Sequence, residues 1–248
     1  MSGAESISPP SPQDRRRWYL RGVGAAYSLP GWILATAYVG FAGLAKESGF
    51  TLAETVFMTA VVWALPANVV LIGGILSGAS LPWAAFAVAL SSFRMMPMVV
   101  ALMPELKGGR TRKLTLYLLS HFVAVTSWVL AMERVRGVPR DMRTAWFLGL
   151  GSTLLVTNTV LVGMVYLLIG SLPAPVTAAL LFLTPIYFLT SLWGSAREGA
   201  GHVAMLCGLV LGPVFHMIWP RFDLLAAGLV GGIVAFVYHR LTARRACQ

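Results

Sequence analysis

Charge is the scarcest thing in this sequence. Of its 248 residues 11% are Asp, Glu, Lys or Arg, against about 25% in an ordinary soluble domain. Hydrophobic residues make up 57%, and the mean hydropathy is +0.75. One water-facing core could not bury that much apolar surface, so a soluble globular domain is excluded and a bilayer is required. Acids are scarcer still, 9 against 19 basic residues. No apolar stretch holds a pair of carboxylates, and the chain lacks HExxH, GxSxG and Walker sequences. That leaves no frame for a hydrolase, a metalloprotease or an ATP-driven pump, so the protein is not read as an enzyme and no cofactor or metal is expected. Cysteine is nearly absent. Cys207 and Cys247 stand alone with no CxxC spacing, which excludes a disulfide framework and a zinc site.

What is present is arranged for a membrane. Apolar stretches cover 20–45, 52–76, 81–103, 114–132, 144–170, 175–194, 201–219 and 223–239. A helical crossing needs about 20 residues, so the pattern predicts an all-α integral membrane protein with seven or eight transmembrane helices. Residues 1–17 read as a disordered basic tail, 18–240 as the membrane domain and 241–248 as a second basic tail. The formal charge of +10 is concentrated between the stretches. Arg15, Arg16, Arg17 and Arg21 flank the first, and Arg240, Arg244 and Arg245 flank the last. Lys107, Arg110, Arg112 and Lys113 fill one break, and Arg134, Arg136, Arg140 and Arg143 another. Basic residues beside spans face the cytoplasm and favour anionic lipids. No basic and aromatic groove pattern for nucleic acid accompanies them.

That rule meets a conflict here. The breaks at 105–113 and 134–143 are both basic, yet a single stretch separates them. If it crosses, one break lies on the wrong side. A discontinuous or re-entrant element near Pro66 or Pro97 would relieve the conflict. Pro30, Pro66, Pro97, Pro185 and Pro213 all interrupt apolar runs, and such breaks survive in a membrane where they line a cavity or face protein. Gly74 with Gly78, and Gly228 with Gly232, form GxxxG pairs suited to close helix packing. At an offset of 122 the region from Arg21 to Trp63 falls on Arg143 to Pro185, which suggests a two-half repeat.

Few polar residues lie within the apolar stretches. Arg94 is the one formal charge well inside, in Ser92-Phe93-Arg94-Met95. Its guanidinium is suited to hold a carboxylate, or to satisfy neighbouring carbonyls. Pro97 should free the Phe93 carbonyl beside it. Asn68, two residues beyond Pro66, can bind a ligand or cap a resumed helix. His121 can carry a proton or form a neutral buried bond. Asn158, between Thr157 and Thr159, can join a site or bond between helices. Glu54 suits a helix N-terminus.

At these residues the chain resembles the AzlC/YgaZ family, the large subunits of bacterial branched-chain amino-acid exporters. The resemblance is carried by Trp63-Ala64-Leu65-Pro66-Ala67-Asn68-Val69, by Ser92-Phe93-Arg94-Met95 and by the small-residue turn Ser77-Gly78-Ala79-Ser80-Leu81. It implies a multi-pass permease of the bacterial inner membrane, exporting small hydrophobic amino acids, with a small AzlD-type membrane subunit as partner. Arg94, Asn68, Pro66, His121 and Asn158 are then the candidate substrate residues. Where the family carries an acidic T-D-E segment, this chain has Ser120-His121-Phe122. Transport of another small organic acid, or a non-transporting membrane scaffold, are the competing readings.

Overall fold

The computed structural model describes residues 11–109, 111–169, 199–219 and 223–246, with scattered positions between 171 and 193. Arg110, Pro185 and most of the stretch 175–194 lie outside the described residues, as do residues 1–10. Within them the protein is entirely helical.

The first helix, α1, spans Pro12–Ala26. Ser11 caps it, its hydroxyl accepting the Asp14 N–H at 3.1 Å, and Pro12 suits the first turn. The basic residues 12–17 are therefore helical, which corrects the expected disordered tail for that part. At the other terminus helix continues through Ala246. A bend of 61° separates α1 from α2, Leu29–Glu47. Pro30 opens α2 and does not interrupt it. Two short helices follow, α3 (Leu52–Val61) and α4 (Leu65–Leu76). Next come α5 (Leu81–Ser92) and α6 (Met95–Leu106), related by a bend of 50°. A second short pair is α7 (Lys113–Ser120) and α8 (Val125–Arg134). Two 3₁₀ turns lead into the long α9, Arg143–Ile169. Beyond it are α10 (Gly199–Ile218) and α11 (Asp223–Ala246), which pack on each other beside Cys207 and Gly231.

Helix α9 is the post against which α1, α2, α3 and the ends of α6–α8 pack, and its glycines decide what touches it most closely. A side chain at Gly149 would collide with the Tyr19 carbonyl, and one at Gly22 with that of Trp146, so α1 and α9 meet backbone to backbone. Gly31 places α2 beside Leu154, and Gly163 takes Val56 of α3. Gly151 takes Phe122, which lies between α7 and α8.

These anchors fix directions. Helices α1 and α2 run up α9 from its N-terminal, arginine-rich end: Tyr19 meets Gly149, Gly31 meets Leu154, and Lys46 donates to the Tyr166 carbonyl at 2.8 Å. The chain turns at Gly49, with φ of 82°, and the Tyr166 hydroxyl bonds to the Phe50 carbonyl at 2.7 Å. Helix α3 then descends, Val56 beside Gly163. The end of α6 is tied to the N-terminal end of α9, where Arg143 reaches Glu105 at 3.0 Å. A pair bent by only 50° must therefore begin at the opposite end. Leu76 joins it there through a turn at Gly78, with φ of 69°. So α3 enters from that end and α4 returns to it.

The second short pair mirrors the first. A Cβ on Gly108, just before α7, would lie 3.0 Å from the Asp141 carboxylate, while the turn after α8 packs on α6. Helices α7 and α8 thus enter from the basic end and return to it. This resolves the charge conflict in the sequence: both basic breaks lie at one end. The chain is discontinuous near Pro66, between α3 and α4, and near Pro97, where α5 and α6 are bent by 50°, the two places expected; the break at 121–124, which lets the chain turn back, was not among them. Each half-helix of 8–12 residues is about 12–18 Å long, too short to cross about 30 Å of hydrocarbon. The stretches 52–76 and 114–132 are accordingly hairpins and not single crossings. Two helices, or up to four elements if each bent pair is one span, are long and apolar enough to cross among the described residues. Leu65 and Val125 each open the second half-helix of a pair, and the two pairs point in opposite directions.

Candidate functional site

The two hairpin tips approach the same part of α9. From Val56, level with Gly163, α3 descends about 9 Å before it ends, which brings its tip level with about residue 157. The tip of the other hairpin meets α9 at Gly151, about 12 Å along from Arg143. Residues 151–158 therefore lie between opposed ends of broken helices. The bend between α1 and α2 lies against the same segment: Ala26, Gly31 and Trp32 face Thr153, Thr157 and Asn158 across a small recess.

The first tip is held by Asn68. Pro66 deprives the Val62 carbonyl of its helical partner, and the Asn68 side chain donates to it at 3.1 Å, while the Ala64 N–H also points there. Asn68 therefore ties the two half-helices together. It is 0% exposed, and its Oδ1 accepts no hydrogen bond among the described residues. Trp63, in the same break, stacks on Tyr38 with ring centroids 5.8 Å apart, and its buried Nε1 also lacks a partner there. The second tip is held by Ser127, whose hydroxyl donates to the Phe122 carbonyl at 2.6 Å and accepts the Ala124 N–H at 2.8 Å. Ser127 was not singled out from the sequence. Its position three residues beyond the break is the usual capping offset, and that spacing was the available signal.

Asn158 is 1% exposed. Its Nδ2 donates to the Leu154 carbonyl of its own helix at 2.7 Å, not to another helix as expected, and its Oδ1 accepts nothing among the described residues. The Thr159 hydroxyl is likewise buried and has no partner among the described residues. Buried polar atoms are nearly always paired, so unmet ones at this depth mark a place where hydrogen-bonding capacity is held in reserve.

The other two candidates lie elsewhere. Arg94 is exposed, at the bend between α5 and α6. The Phe93 carbonyl beside it is not free, because it accepts the Met96 N–H at 3.0 Å in a 3₁₀ turn that absorbs the effect of Pro97. His121 ends α7, exposed, with its ring edge-to-face on Phe122 at 5.5 Å. Asn68, Pro66 and Asn158 thus belong to the inner layer, while Arg94 and His121 stand on the outside of the described bundle. Among the described residues no cluster of His, Cys, Asp and Glu could hold a metal ion.

Helices long and apolar enough to cross, with paired half-helices entering from opposite ends, fit a helical membrane protein. A family model described as AzlC protein matches residues 31–172, a region that contains both hairpins and reaches just past the end of α9. The chain belongs to the AzlC family. No curated protein and no solved structure matches it.

Proposed function

We propose that the protein is a transport subunit that exports small hydrophobic amino acids, of the branched-chain kind, by alternating access. The observation that carries this reading is the approach of two oppositely entering half-helix hairpins to one segment of α9, residues 151–158. Each break presents helix N-termini, which favour a carboxylate, and helix C-termini, which favour an ammonium group. Opposed breaks therefore suit a zwitterion without any formal charge on the protein. Asn68 Oδ1 supplies an acceptor for the ammonium group, and the surrounding Val, Leu and Trp side chains suit an aliphatic tail. The two hairpins, pointing opposite ways, are the elements that would open the layer to one end or the other. In this reading Arg94, exposed at its bend, contributes less to recognition than Asn68.

The chain would sit in the bacterial inner membrane with its basic end toward the cytoplasm and anionic lipid. A small AzlD-type membrane subunit would complete it. The test is counterflow of labelled valine in vesicles containing the chain with that subunit. Asn68→Leu should lower the rate by more than about tenfold, whereas Asn68→Asp, which keeps an acceptor, should retain more of it. Equal rates in Asn68→Leu and the parent would remove the inner layer from substrate recognition. Competition by small organic acids and not by amino acids would replace the cargo.

A further inference from the structure

The bend between α1 and α2 leaves an open recess on α9. We propose that this recess seats the end of one acyl chain of an anionic phospholipid whose headgroup is held at Arg16 and Arg17.

The corner itself builds the gap. Helix α1 ends at Ala26, and Pro30 opens α2 on an axis 61° away. A side chain at Gly31 would strike the Ala26 carbonyl, so the corner carries none there. The diverging helices leave a wedge over α9, lined by Ala26, Tyr27, Trp32, Ala35, Thr153 and Leu154 among others, and almost wholly apolar. The Thr153 hydroxyl turns back to the Gly149 carbonyl of its own helix at 2.7 Å. A zwitterion or an ion would lie in this wedge with its charge unpaired, which is costly in an apolar setting. A hydrocarbon chain bears no such cost.

Depth names the hydrocarbon. Thr153 lies about 15 Å along α9 from Arg143, toward the middle of a helix about 40 Å long. At that level the medium around a membrane helix is acyl chain. Tyr27 and Trp32 stand exposed on the rim, their ring centroids 6.4 Å apart and their planes tilted by 51°. Trp and Tyr gather at the two membrane interfaces, so a pair placed this deep is out of its usual position, and here it walls the recess.

A track leads to the recess from the basic end. On α1, Arg16, Leu20 and Gly24 follow one turn apart, all exposed, on the side away from Gly22, which meets α9. A side chain at Gly24 would meet nothing within 4 Å among the described residues, so the track is open. Arg16 and Tyr27 are separated by about 16 Å of helix, close to half of a hydrocarbon core about 30 Å thick. That is the depth one acyl chain reaches from its headgroup. Arg15, Arg16, Arg17 and Arg21 outnumber Asp14, the one acid of α1, whose carboxylate accepts the Ser11 hydroxyl at 2.7 Å. Guanidinium forks suit phosphate oxygens. Basic residues beside any span attract anionic lipid. The recess at chain's length from them turns that diffuse preference into a site for one molecule.

The test is quenching of tryptophan fluorescence in the full chain, reconstituted in phosphatidylcholine vesicles with a rising fraction of phosphatidylglycerol brominated near the methyl ends of its chains. Brominated phosphatidylcholine serves as the comparison. The anionic lipid should quench more at equal fraction, and the excess should saturate at a low fraction. Trp32→Phe, which keeps a ring on the rim, should remove the excess. Bromine placed near the carbonyl end should quench Trp32 less. The double variant Arg16→Gln, Arg17→Gln, altered only at exposed positions, should need about tenfold more anionic lipid or above to reach the same excess. Equal quenching by the two lipids at every fraction would mean that the recess meets only bulk lipid or is covered by protein, and would overturn the proposal. An excess that survives in Trp32→Phe, or is unchanged in the double variant, would overturn it as well. The assay contains no transported solute, so its outcome is independent of the cargo.

Discussion

Arg143 shows how one side chain sets the placement of several elements. Its Nη1 donates to the Glu105 carbonyl at 2.7 Å and to the Glu105 carboxylate at 3.0 Å, and its Nε donates to the Val138 carbonyl at 3.1 Å. Two of the three bonds go to backbone. The guanidinium therefore holds the end of α6 and the turn before α9 even without the acid. Arg143→Ala should destabilise the protein by about 2 kcal/mol or more, because buried carbonyls lose a charged donor. Glu105→Gln should cost less than half as much. Thermal unfolding of both variants in detergent checks the order; equal losses would mean that the ion pair, and not the carbonyl clamp, dominates. This arrangement was not legible beforehand. The sequence places Arg143 in a basic break and gives no sign that it turns inward. Arg94 is the opposite case, conspicuous in the sequence yet exposed in the fold.

At the scale of elements, the breaks separate into those that the sequence announces and those that it conceals. Pro66 announces one, since the missing N–H and the ring clash must end a helix near Val62. Pro97 announces a break that becomes a bend, because a 3₁₀ turn at Phe93 supplies the missing bond. The break at 121–124 has no proline or glycine in Ser120-His121-Phe122-Val123-Ala124 and is held by Ser127 and by the contact of Phe122 with Gly151. That contact is between residues far apart in sequence, so local propensity could not reveal it. The GxxxG pairs account for only part of the packing. Gly74 lies against Ala84 of α5, Gly78 serves a left-handed turn, and Gly228 and Gly232 have nothing within 4 Å among the described residues, while the unpaired Gly22 and Gly149 make the closest approach. Gly149→Ala should therefore push α1 away from α9 and cost about 1–3 kcal/mol, whereas Gly24→Ala, facing open space, should be neutral or mildly stabilising. Detergent-resistant folded fraction after heating measures both. Equal tolerance at the two positions would show that the helices are not in backbone contact.

For the whole molecule, the sequence made the class plain and left the topology contradictory. Membrane class and helical content follow from hydropathy alone, and the family follows from a few short segments. The count of crossings did not follow, because hydropathy cannot distinguish a hairpin that returns from a helix that passes through. The basic breaks held the information, since both could obey one rule only if the intervening stretch turned back. This makes a sharp prediction. In a background lacking Cys207 and Cys247, single cysteines at Gly109 and Gly137 should react with an impermeant thiol reagent from the same face of the membrane. Cysteines at Gly49 and Gly78 should react from the other face. Labelling of positions 109 and 137 from opposite faces would mean that α7 and α8 cross.

The placement of α9 after both hairpins in the chain has a bearing on biogenesis. Helix α3 and the Phe122 turn lack their α9 contacts until Gly163 and Gly151 have been made, although α4 already has α5 and α8 already has α6, so each pair waits only partly docked. A ribosome stalled before that point would leave nascent chain in which Phe122 has no Gly151 to receive it. The last contacts should therefore form late, with full protection from protease appearing only once the final third of the post has emerged.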